Sequence, residues 1–78
     1  MKTFEEVKAL MERIEPTNAL FHLYVAEKDT HKELCLTYRG KNGYDHAEFF
    51  FPPRNEEERE ITEMGEKLLD WWASRLKD

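Results

Sequence analysis

The sequence predicts an α+β fold in the order α-β-β-β-α, a three-stranded antiparallel sheet with both helices packed on one face. Three observations predict it. Apolar residues recur at helical spacing near both ends of the chain, and between Leu20 and Phe51 the period falls to two. Asn42-Gly43 separates two of the alternating runs, a strong hairpin signal. Each helical segment has one apolar side that needs a surface to cover, and a sheet with one apolar face supplies it. The expected elements are a helix over 3–15, strands over 20–27, 33–39 and 44–51, and a helix over 55–77, in one domain spanning 1–78.

Thr3-Phe4-Glu5-Glu6 reads as a capping box, in which Thr3 caps the helix and Glu6 reaches back. Phe4, Val7, Leu10, Met11 and Ile14 then follow at helical spacing, and Pro16 stops the run because the residue before a proline avoids the helical region. In the first strand Phe21, Leu23 and Val25 share one face, while His22, Tyr24 and Ala26 share the other. Lys28-Asp29-Thr30 is a polar turn. Leu34, Leu36 and Tyr38 then oppose Cys35, Thr37 and Arg39.

In the third strand Ala47, Phe49 and Phe51 face the core, and Tyr44, His46, Glu48 and Phe50 face away. With Asn42 and Gly43 as the two loop residues, Leu36 lies opposite Phe49, Leu34 opposite Phe51 and Tyr38 opposite Ala47. A first hairpin that sets Leu23 opposite Leu36 and Val25 opposite Leu34 keeps apolar residues facing apolar residues. On the other face the same register aligns His22 with Thr37 and Glu48, sets Tyr24 and Cys35 beside Phe50, and turns Arg39 toward His46. Pro52-Pro53 ends the strand.

Asn55 is the expected cap of the last helix, with Glu56, Glu57 and Glu58 complementing the positive end of its dipole. The expected core stripe is Ile61, Met64, Leu68, Trp72 and Leu76, flanked by Leu69 and Trp71. Gly65 lies on or beside that stripe and suits close packing against the sheet or the first helix. Trp71, on the shoulder, either folds over the first helix or extends a surface contact.

The net charge of −5 is unevenly distributed. Residues 55–78 hold eight acids and four bases, residues 1–15 four and three, and residues 16–54 five of each. The acidity therefore belongs mainly to the last helix, where it disfavours contact with a phosphate backbone. A hydrophobic content of 40% in regular periodicity excludes a disordered chain despite 37% charged residues. The single cysteine, Cys35, forms no internal disulfide, and no run approaches a membrane span or a signal peptide. A cytoplasmic protein with no membrane attachment is the default expectation.

Residues that could carry chemistry are few. Asp29, His31 and Cys35, with His22 and His46 on neighbouring strands, fall short of a four-ligand zinc site, so no metal or other cofactor is expected. Cys35 as a nucleophile with His22 or His46 as base would need a pocket, and a flat sheet face offers none. Carboxylate pairs such as Glu56 with Glu60, or Glu63 with Asp70, lie on a solvated helix, where acids rarely perform acid–base work. Gly40-Lys41-Asn42-Gly43 is a turn and no phosphate loop.

The expectation is a non-enzymatic acidic module that binds a protein with a basic surface. Glu56, Glu57, Glu60, Glu63, Glu66 and Asp70 form its acidic face. His22, Tyr24, Cys35, Tyr44 and Phe50 on the open sheet face, with Trp71, form a second contact for a partner or a second copy. A sharper form is a compact inhibitor that occupies a basic, nucleic-acid-binding surface. Immunity, anti-restriction and anti-CRISPR proteins provide the analogy, in size and charge alone. The alternative is a homodimer that uses the open face in a structural or adaptor role.

The element order is similar to that of double-stranded-RNA-binding domains, which place lysines at the start of their last helix. Here that position reads Asn55-Glu56-Glu57-Glu58-Arg59-Glu60, so the similarity ends at the order. Exposed strand aromatics resemble those of single-strand RNA binders, but only Arg39 and Lys41 supply a basic surround. Direct nucleic-acid binding, as an RNA-binding domain, is a less favoured third reading.

Overall fold

The computed structural model describes residues 2–76. Helix α1 (Phe4–Ile14) leads through a single 3-10 turn (Glu15–Thr17) into strands β1 (Phe21–Glu27), β2 (Lys32–Gly40) and β3 (Gly43–Phe51), followed by helix α2 (Glu56–Ala73). The strands form one antiparallel sheet in the order β1-β2-β3, so the α-β-β-β-α reading holds. Thr3 and Glu6 form the capping box reciprocally, and Asn55 caps α2 by accepting the Glu58 N–H at 2.8 Å. Past Ala73 the chain tightens into turns, with Arg75 N–H bonded to the Trp72 carbonyl. The expected final helical residue, 77, lies outside the described residues.

β1 and β2 pair in the expected register, with Leu23 opposite Leu36 and Val25 opposite Leu34. β2 and β3 do not. Leu34 faces Phe49, Leu36 faces Ala47 and Tyr38 faces Asp45, and the hairpin closes on Gly40 and Gly43. The loop residues are therefore Lys41 and Asn42. A type I′ turn at Asn42-Gly43 would need positive φ at both residues, whereas only Gly43 has it, at 123°. The slip is two residues, which preserves the pleat and leaves every side chain on its expected face.

That face carries the core. Phe4, Val7, Met11 and Ile14 from α1 meet Leu34, Leu36, Ala47 and Phe49 from the sheet, and Leu69 and Trp72 from α2. The Phe21 ring stands edge-on to Trp72 at 5.0 Å.

α2 is rotated from its expected setting. Its buried residues are Thr62, Gly65, Leu69 and Trp72, whereas Met64 is 70% exposed and Trp71 53% exposed. Trp71 is therefore surface and does not fold over α1 as core. The cause is contact with the β3 backbone. A Cβ on Gly65 would overlap the Glu48 carbonyl oxygen and lie 2.8 Å from its amide nitrogen. One turn earlier, the Thr62 hydroxyl accepts the Phe50 N–H at 3.1 Å. Helix α2 thus contributes to the core and also covers the β3 edge that no strand pairs with.

Candidate protein-interaction surface

The six expected acidic residues do not form one face. At 100° per residue they spread over about half the circumference of α2. Asp70 is paired with Lys2 at 3.2 Å and Glu56 with Arg59 at 3.8 Å, both at exposed sites. Glu57, Glu60, Glu63 and Glu66 have no ion pair among the described residues. Glu63, Glu66 and Asp70 line a shallow depression with Lys67. Glu58, in the same acidic run, is committed internally. The Arg54 guanidinium grips it at 2.7 and 3.1 Å, and the Arg54 N–H adds a third bond at 2.9 Å. Those hydrogen bonds hold the Glu58 carboxyl below the usual glutamate range.

The register shift rearranges the open sheet face. Its rows are His22–Thr37–His46 and Tyr24–Cys35–Glu48, with Arg39 opposite Tyr44. Glu48 thus leaves the His22 row, and Arg39 no longer faces His46. Thr37 Oγ1 bonds His46 Nδ1 at 3.0 Å, and Tyr44 stacks on His46 with ring centroids 6.0 Å apart. Tyr24 and Tyr44 are 60% and 59% exposed, and His22 is exposed beside them. Cys35 is half-buried. Desolvation raises its thiol pKa, Glu48 adds to that, and the Thr37 hydroxyl partly offsets it, which keeps the sulfur in its less reactive form.

Phe50 departs from the expectation. It is buried, because His31 folds onto the open face and stacks over it at 6.0 Å. His31 Nε2 is held by Glu33 at 3.1 Å, and its buried Nδ1 has no hydrogen-bond partner among the described residues. Phe50 is therefore a satellite of the core and offers no contact. The sequence carried only a weak sign of this, a histidine at the turn preceding β2.

Two features escaped the sequence reading. The first is a ridge of Ile61, Met64, Leu68 and Trp71 on the shoulder of α2. The small residues Thr62 and Gly65 could have revealed it, because they mark the side of closest approach. The second is a groove of about 800 Å³ at the hairpin end of the sheet, between the C-terminal ends of the two helices. Its floor is the Phe21, Tyr38 and Trp72 cluster, and Arg13 and Arg75 stand on its walls. Arg13 lies in the last turn of α1, where carbonyl ends concentrate negative charge, and Arg75 lies past the end of α2 over the Trp71 ring. Among the described residues the lining contains no histidine, cysteine or serine, and nowhere do three metal-ligating side chains converge. No described helix is long and apolar enough to cross a membrane.

No family model matches the chain, and neither a curated protein nor a solved structure shows significant similarity to it.

Proposed function

We propose that the protein is a non-enzymatic, acidic protein-binding module. Its α2 surface engages a basic face of a larger partner in the cytoplasm, in the manner of a small inhibitor. The observation that supports this reading is the set of α2 carboxylates without an ion pair among the described residues: Glu57, Glu60, Glu63 and Glu66. A concentration of like charge on one helix accelerates encounter with lysine and arginine on another protein. The same charge repels nucleic acid, so the target is a protein surface, including one that otherwise holds a phosphate backbone. Tyr24 and Tyr44 remain as aromatic contacts on the open face, without Phe50.

The test is capture of a partner from nuclease-treated lysate of the source cell, beside a variant with Glu60, Glu63 and Asp70 changed to lysine. The expected result is one stoichiometric protein, released by moderate salt and absent with the variant. A partner retained by the variant would move the binding surface off α2 and overturn the proposal. A titration with labelled oligonucleotides at low salt checks the other class, and no binding is the expected outcome.

A further inference from the structure

The ridge on α2 has a partner written into its own charge pattern. Ile61, Met64, Leu68 and Trp71 recur at alternating spacings of three and four, the seam of a two-helix contact. Met64 and Trp71 are exposed and Ile61 and Leu68 half-buried, so the seam is open. It continues into charge at both ends, through Glu57 before Ile61 and Arg75 after Trp71. The Arg75 guanidinium lies 3.9 Å from the Trp71 ring centroid, so this cation is already laid on the ridge.

Along the ridge and its outer flank the charges are sorted. Glu57, Glu60 and Glu63 occupy the N-terminal half, and Lys67 and Arg75 the C-terminal half. A parallel copy would set acids on acids. An antiparallel copy sets Glu57 on Arg75 and opposes the two helix dipoles.

The geometry points to a homodimer in which α2 packs antiparallel against α2 of a second copy. One offset satisfies the whole seam. Placing Met64 against Leu68 of the second copy also places Ile61 against Trp71 and Glu57 against Arg75, and the two-fold axis repeats each contact in reverse. This interface does not rest on the inhibitor reading, and it takes up Glu57, which that reading turns toward a basic partner. It lies on the shoulder of α2 away from Glu66 and Asp70, and it does not use the open sheet face.

Sedimentation equilibrium of the full chain, from micromolar to millimolar concentration, tests it. The expected result is a monomer–dimer equilibrium that Met64→Glu weakens by about tenfold or more. Glu57→Arg and Arg75→Glu each weaken it by about fivefold, and the double exchange recovers most of the loss because the ion pair is rebuilt with its signs reversed. Tyr24→Arg leaves the dimer unchanged. Melting curves accompany each variant, and the exchange pair supplies the answer if Met64→Glu does not fold. A monomer at every concentration overturns the proposal. So does a dimer that Tyr24→Arg breaks, one that survives Met64→Glu, or a double exchange no stronger than its parents.

Discussion

Helices α1 and α2 are both amphipathic, yet only α1 sits as its sequence predicts. In α1 the apolar residues form one stripe, and Phe4, Val7, Met11 and Ile14 are all buried. In α2 they form two adjacent stripes, and the more hydrophobic one is left partly outside, with Leu68 still packed against the core. The core side is Thr62, Gly65, Leu69 and Trp72, while Met64 and Trp71 face solvent. A helix lying over side chains is oriented by apolar bulk. A helix lying against backbone is oriented by its smallest residues, because only they allow the approach. Gly65 meets the Glu48 backbone directly, and Thr62 supplies the acceptor that the edge N–H of Phe50 requires.

The largest effect should come from removing that approach. Gly65→Ala adds a Cβ that the rigid Glu48 backbone cannot yield to. We expect a net loss of about 2 kcal/mol, overpacking outweighing the roughly 1 kcal/mol gain in helix propensity. A chemical denaturation midpoint unchanged from wild type would show that α2 does not rest on β3 as described. Thr62→Val keeps the shape but leaves the Phe50 N–H unsatisfied, at a cost of about 1–3 kcal/mol. Its amide should lose hydrogen-exchange protection in step.

A smaller effect separates the two helix starts. Glu6 is lowered by its bonds to Thr3, and Glu58 by its bonds to Arg54. A carboxyl whose folded pKa lies below its unfolded value, about 4.3, stabilises fully above that value and loses its contribution as pH falls through the folded one. Melting temperature should therefore drop below about pH 4.3, and Glu58→Gln should flatten part of that slope while Glu6→Gln flattens another part. An unaltered slope in Glu58→Gln would remove the Arg54 grip as a source of stability. The smallest effect should be that of Met64→Lys in the monomer, within about 0.5 kcal/mol, because the side chain is exposed. A large loss would return Met64 to the core and undo the contrast between the helices.

Much of the fold is legible in the residues. The Thr3 and Asn55 caps, the alternation in all three strands and the β1–β2 register follow from short-range rules. The β2–β3 register was misread because Asn-Gly specifies a tight turn without specifying which residues take positive φ. The slip left each residue on its expected face and changed its partner on both faces, so Leu34 faces Phe49 rather than Phe51 and Glu48 rather than Phe50 stands beside Cys35. Phe50 was misplaced because its cover, His31, comes from a turn whose path periodicity does not describe. The acidic residues were legible as a group. Which of them are already paired was not, since Asp70 meets Lys2 across 68 positions of sequence.

Local chemistry therefore settles what each segment is: where helices begin, which strand residues share a face, and that the charge concentrates in the last helix. Those properties depend on neighbours a few positions away, and the chain carries them before it folds. Tertiary structure settles how segments meet: the rotation of α2, the burial of Phe50 and the open ridge from Ile61 to Trp71. Each depends on contacts made across the fold, set jointly by groups far apart in the sequence. For α2 the deciding atom is one that Gly65 lacks.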